Sequence, residues 1–270
     1  MKVLNLVHKE SSDISYNIFK FPDGEVQISL GDFSLKEDYI NVKCRITNAE
    51  ELFIVCQVCD ILDRHEVCYI LEIYYLMSMR MDRIMSFKRP FTLKVVMDIL
   101  WHYNMSGIRV LEPHSEVYAR LNPRAEELFI STKGLPDNLE DYQIVYPDKG
   151  ASERYSFHYT ANLPIIQCSK ERDLATGKIT SIKIDNPQDI KDKPLLIIDD
   201  LCDGGGTFCG IAKAFEKVGV SKDRLNISVT HMVNAEGIIN LSKNFNHVWF
   251  TNSYKDWDNL PDNVTLINLI

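Results

Sequence analysis

The segment LLIIDDLCDGGGTFCGIAKAF, residues 195–215, constrains the chain more than any other. It begins as an apolar run suited to a strand covered on both faces. From Thr207 to Val218 the spacing turns helical, and Gly219 follows as a C-terminal cap. Gly204, Gly205 and Gly206 stand between the two. A strand that enters a helix through glycines belongs to α/β architecture. It offers an anion consecutive backbone N–H groups and the positive end of a helix. Neither the Gly-Lys-Ser/Thr of a Walker loop nor the GxGxxG dinucleotide fingerprint is present. The neighbouring acids need a different partner. Asp199 and Asp200 fall at the carboxyl end of a parallel strand, where α/β proteins bind ligands, and Asp203 follows them. Ionised carboxylates only accept hydrogen bonds. Set a sugar's width from a phosphate cradle, the pair suits the vicinal hydroxyls of a ribose, directly or through Mg²⁺.

Elsewhere strand-like and helix-like segments alternate, which predicts α/β domains with largely parallel sheets flanked by helices. Strands are expected at 3–7, 52–57, 67–76, 108–112, 142–146, 164–168, 194–200, 225–231 and 247–251. The clearest helix is 90–103, where Leu93, Val96, Met97, Leu100 and Trp101 share one face and Pro90 suits the first turn. Another helix is expected from about Ser152, and a third over 207–218. Pro, Asp, Asn and Gly accumulate between 122 and 141, which predicts domains of 1–130 and 131–270.

Composition closes off other classes. A net charge of −8 disfavours sequence-independent nucleic-acid binding. No apolar run is long enough to span a bilayer, and MKVLNLVHKESS lacks the features of a signal peptide. Seven cysteines, an odd number without a regular framework, fit a reducing cytoplasm. Cys56 and Cys59 form a CxxC without a second pair, which reads as small buried thiols at a strand end rather than zinc ligands.

DDLCDGGGT resembles the ribose-phosphate loop of type I phosphoribosyltransferases and of ribose-phosphate diphosphokinases (PRPP synthetases). Other blocks favour the latter. FPDGE (21–25) resembles their ATP-site hairpin, MRMDR (79–83) their Arg-Gln-Asp-Arg segment, and RPFTLKVVMDIL the helix after it. EPHS (112–115) is similar to the metal-site histidine segment, and YPDKGASER (146–154) to the diphosphate loop. SKERD (169–173) is similar to the start of the catalytic flexible loop, and VTHMV and FTNS to the last strands.

The resemblance implies two similar type I phosphoribosyltransferase-like domains and transfer of the β,γ-diphosphate of MgATP to an anomeric ribose hydroxyl, with release of AMP. It implies that Phe21, Asp23, Glu25, Arg80, Asp82, Arg83 and His114 serve the nucleotide. By the same resemblance, His114 and Asp148 handle Mg²⁺, and N–H groups near Asp148, Lys149, Gly150 and Ala151 cradle the diphosphate. Asp199, Asp200, Asp203, Gly204, Gly205, Gly206 and Thr207 would hold the ribose phosphate. Lys170 and Arg172, in a polar loop, would close over the phosphoryl oxygens, with His114 as a further catalytic group. The family's hairpin serves a neighbouring subunit's site, so a homodimer or larger homo-oligomer is expected. The alternatives are a phosphoribosyltransferase that consumes PRPP and a catalytically silent regulatory subunit.

Four departures stand out. Gly204 replaces a family threonine, which leaves room for a 5′-substituted ribose phosphate such as ADP-ribose; loss by drift is the competing reading. Met81 replaces a glutamine. The connection between 52–57 and 67–76 is short, which predicts that a family helix is reduced to about a turn. The sequence ends at VTLINLI without the family's long closing helix. The two shortenings are expected to affect assembly and feedback sites.

Overall fold

A computed structural model describes residues 1–33, 39–128, 136, 138–159, 165–172 and 179–270, with all their side chains except those of 156–159, 171, 172, 179 and 180. The chain divides into two compact units, 1–129 with Ile270, and 130–269.

In the first unit the elements are β1 (Lys2–Asn5), β2 (Tyr16–Lys20), β3 (Val26–Leu30), β4 (Ile40–Ile46), α1 (Ala49–Arg64), β5 (Tyr69–Leu76), α2 (Thr92–Trp101), β6 (Gly107–Leu111), α3 (Val117–Leu121) and β7 (Ala125–Leu128). The sheet runs β1-β4-β5-β6-β7, all parallel. β2 and β3 form a separate antiparallel hairpin whose turn is FPDGE. β5, with seven of its eight side chains buried, fits a strand covered on both faces.

One element differs in kind from its expectation. Residues 52–57 are not a strand but part of α1, a helix of 16 residues, so the connection to β5 is not shortened. The sequence favours helix through its start. Asn48 accepts from the Glu51 N–H at 3.0 Å, and Glu51 Oε2 accepts in return from the Thr47 N–H at 2.6 Å. This is a capping-box arrangement shifted by one residue. Leu52, Val55, Cys56, Cys59 and Leu62 then share the buried face. The CxxC is therefore one turn of a helix with both thiols buried.

In the second unit the elements are β8 (Gln143–Tyr146), α4 (Lys149–Tyr159), β9 (Ile165–Arg172), β10 (Ile179–Ile184), β11 (Leu195–Cys202), α5 (Gly206–Lys217), β12 (Leu225–Met232), α6 (Ala235–Asn244), β13 (His247–Thr251) and β14 (Val264–Ile267). The sheet order is β10-β9-β8-β11-β12-β13-β14, parallel except for the β9–β10 pair. From β8 the chain steps outward to β9, then returns to the other side of β8 with β11. Such a reversal sends successive helices to opposite faces and opens a crevice between the two strand ends. The packing agrees. Ala151 and Tyr155 of α4 cover Leu196 and Ile198 on one face, while Phe208, Ile211 and Phe215 of α5 cover the face of Leu195 and Ile197.

Two expectations shift here. α4 starts at Lys149 rather than about Ser152, because Asp148 caps it. Lys170 and Arg172 lie in β9, not in a loop, because β10 pairs with β9 antiparallel and extends it past the core. Residues 173–178, the continuation of the expected lid, lie outside the described residues. Among the described residues no helix is long and apolar enough to cross a membrane.

Candidate active site

The crevice at the reversal is bounded by two strand-to-helix turns. The first follows β8. Asp148 Oδ1 accepts from the Ala151 N–H at 3.0 Å, and Asp148 Oδ2 receives Lys170 Nζ from β9 at 2.6 Å. Each carboxylate oxygen thus has its own partner. A side chain at Gly150 would put its Cβ 3.3 Å from Oδ1, so the bare backbone there gives the carboxylate room to fold back. With Ala151 engaged, the N–H groups of Lys149 and Gly150 remain at the positive end of α4. Burial pushes the Asp148 carboxyl up, but the Lys170 ammonium and the Ala151 N–H outweigh it and hold the group below its ordinary value.

The second turn follows β11, and its acids behave differently from one another. Consecutive strand residues face opposite sides. Asp200 points under α4, is nearly buried, and pairs with Arg154 Nη1 at 2.8 Å. Asp199 points to the other side and accepts the Asp200 N–H at 3.0 Å. Burial raises the Asp199 carboxyl well above its ordinary value, and the nearby Asp200 and Asp148 charges add to the rise; Lys170 opposes it only in part. The paired acids are thus two unlike groups: one locked to a guanidinium, one crowded and holding its proton more tightly.

The glycine turn also divides. Gly205 is the N-cap of α5 with φ 78°, a left-handed conformation that favours glycine. A Cβ on Gly206 would meet nothing within 4 Å, and one on Gly204 only Glu236 Oε2, at 4.0 Å. These two glycines answer no steric demand of the fold. They leave open space over the helix end, beside the partly buried Thr207 and the exposed Asp203.

The remaining expected residues lie in the first unit. Phe21, Asp23 and Glu25 form the exposed hairpin turn, where Asp23 Oδ1 accepts from the Glu25 N–H at 3.1 Å. Arg80 and Arg83 are exposed after β5, and Arg83 Nε lies 3.5 Å from Asp82 Oδ1. His114 is half-buried after β6. Sequence reasoning assigned no role to Arg154, Glu112 or Glu236. Arg154 was legible as the helix position that follows Asp148 by six residues. Glu112, nearly buried with φ 35°, precedes the His114 turn in a conformation rare for such a residue, and nothing in its type announced it.

The fold defines the class first. Over 97% of this chain and 88% of the other, the structure matches that of phosphoribosylpyrophosphate synthetase from Mycobacterium smegmatis, with a TM-score of 0.78 at 18% identity. It is the type I phosphoribosyltransferase fold, present as two mostly parallel sheets flanked by helices. Sequence relatives narrow this. The ribose-phosphate pyrophosphokinase of Pyrococcus furiosus is 28% identical over 272 residues, covering 97% of this chain and 92% of that protein. The enzyme of the same name from Vibrio cholerae is 26% identical over 92% of this chain and 78% of that protein. No family model matches. The chain is a diverged homologue of the ribose-phosphate pyrophosphokinases, which are transferases.

Proposed function

We propose that the protein transfers the β,γ-diphosphate of MgATP to the anomeric hydroxyl of a ribose 5-phosphate unit and releases AMP. The observation that carries this reading is the crevice between β8 and β11. There two helix ends and a Lys170–Asp148 pair stand beside an acid-flanked glycine turn, in a homologue of enzymes with that name. The α5 end and Thr207 hold the sugar's phosphate; Asp199 and Asp203 accept from its hydroxyls. The α4 N-terminus receives the transferred diphosphate, and Lys170 neutralises charge that develops on its oxygens.

Among the described residues no cluster of three or more His, Cys, Asp or Glu suits a bound metal ion. That fits Mg²⁺ arriving on the nucleotide's phosphates, where it needs only one or two protein oxygens and keeps its waters. Asp148 would supply such an oxygen in this reading, and His114, in the first unit, is the other ligand that the family resemblance suggests. When bound, the ion would supply positive charge against the phosphoryl oxygens of the nucleotide.

The acceptor is ribose 5-phosphate or a 5′-substituted form such as ADP-ribose. The open space at Gly204 supports the latter, because a substituted phosphate needs an exit. Assembly is read as a homodimer or larger, supported by the exposed apolar residues Ile18, Phe19 and Phe21 on the β2–β3 hairpin. The protein is incubated with MgATP and each acceptor, and products are weighed by mass spectrometry. AMP with a matching 1-diphosphate product is expected. No acceptor-dependent AMP with either compound would sink the reading.

A further inference from the structure

The helix α4 has little apolar grip on the sheet. From Lys149 to Tyr155 only Ala151 and Tyr155 are buried. On the opposite face α5 buries Phe208, Ile211, Ala212 and Phe215. Yet α4 carries the end proposed to receive the diphosphate, and that end must be held in one place. Two ion pairs supply what apolar burial does not. Lys170 of β9 holds Asp148, just before the helix, at 2.6 Å. Arg154 ties the second turn of the helix to Asp200 of β11 at 2.8 Å.

The second tie joins the two halves of the site. Asp200 lies on the strand that runs straight into the glycine turn, and Arg154 lies on the helix whose first N–H groups face the crevice. The Arg154 and Asp200 side chains are only 15% and 4% exposed. Salt screens such a pair little, and removing one partner leaves a buried charge without its counterpart. A guanidinium suits the position, because its planar fork fixes the direction of a carboxylate as a lysine's point charge does not. The next residue, Tyr155, stacks on Tyr146 of β8 with ring centres 6.5 Å apart. The second turn of α4 is thus seated on β8 by an aromatic ring and on β11 by a charge.

We propose that Arg154 is a positioning residue for the diphosphate transfer: through Asp200 it fixes the distance between the α4 N-terminus and the glycine turn. The guanidinium touches neither substrate. It links the two ends that hold the phosphorus and the attacking hydroxyl, and an error of about 1 Å between reacting atoms costs about a hundredfold in rate. Asp200 is then the foot of the tie rather than a ligand of the ribose, which leaves the hydroxyls to Asp199 and Asp203. The proposal rests on the reaction proposed above and assigns its geometry a determinant.

The test compares the wild type with Arg154→Met, Arg154→Lys and the double variant Arg154→Met with Asp200→Asn. Steady-state kinetics use MgATP with ribose 5-phosphate or ADP-ribose, and amide hydrogen exchange is followed by mass spectrometry without ligand. Should Arg154→Met fail to fold, the double variant, which leaves no buried charge unpaired, carries the test. In the variants without the guanidinium, kcat is expected to fall about tenfold to a hundredfold and each KM to change by less than about threefold. Arg154→Lys is expected to recover part of the loss. Amides of 151–155 should exchange at least about tenfold faster, with those of α5 unchanged. A merely structural pair would loosen α4 and α5 together, and that result overturns the proposal, as does unchanged exchange in α4. A raised acceptor KM at constant kcat overturns it too, because Asp200 would then be a ligand of the ribose. If α4 alone loosens and the wild type forms no AMP, the tie between helix and turn stands and the proposed reaction falls.

Discussion

Only one glycine in the Gly204–Gly206 turn is demanded by the backbone. Gly205 occupies φ 78°, whereas Gly204 and Gly206 have ordinary φ and open space where a Cβ would go. Gly205→Ala is expected to cost about 1 to 2 kcal/mol. Gly204→Ala and Gly206→Ala should change stability little. Thermal unfolding separates them, with a fall of several degrees for the first variant alone. Asp199 gives a prediction of opposite sign. Its folded pKa is raised by burial and by Asp200 and Asp148, so its contribution is present at low pH and is lost as pH rises through that raised value. Once ionised, the carboxylate is a liability to the folded state. Asp199→Asn is expected to raise the melting temperature at pH 7, and to raise it progressively less toward pH 4. The same variant should lose most of its turnover, which is the usual conflict between a stable and a working site. A lower melting temperature at pH 7 would contradict the crowding of carboxylates described here.

At the level of elements, legibility followed the strength of the local pattern. β11, α5 and α2 were readable because an unbroken apolar run and a clean helical stripe each admit one interpretation. Residues 52–57 were misread because Leu-Phe-Ile-Val is a strand-like run, and the cap that decides the matter lies upstream in Thr47, Asn48 and Glu51. β9 was misread for a different reason. Ser-Lys-Glu-Arg has loop composition, and only its pairing with β10, a contact made after the intervening 173–178, extends the strand. The elements flanking the crevice were legible; the reversal of strand order that makes it a crevice was not, since order in a sheet leaves no local trace. Placing Lys170 on a paired strand sharpens the role proposed for it, because a strand holds the ammonium against Asp148 more firmly than a loop would. Lys170→Ala is expected to slow turnover by about a hundredfold or more. Nucleotide affinity should change far less. Equal losses in both, measured by steady-state kinetics and nucleotide titration, would make Lys170 a binding residue instead.

The molecule as a whole carries a net charge of −8, yet its proposed substrates are both polyanions. Long-range attraction therefore cannot gather them, and local devices must. The second unit offers helix ends, Lys170 and Arg154, while Asp148, Asp199, Asp200 and Asp203 crowd the same crevice. In the proposed reaction a divalent cation on the nucleotide would resolve the conflict twice, by screening the phosphates and by giving a crowded carboxylate a counter-charge. EDTA is therefore expected to abolish AMP formation, and added Mg²⁺ to restore it. The stronger prediction concerns stability. Mg²⁺ with nucleotide should raise the melting temperature of the wild type by several degrees, through preferential binding to the folded state. In Asp148→Asn the same addition should raise it by markedly less, because the carboxylate assigned to the ion is gone. Differential scanning calorimetry with nucleotide alone, Mg²⁺ alone and both together reads this directly. An equal rise in the variant would move the ion away from Asp148 and leave His114 as its remaining assigned ligand.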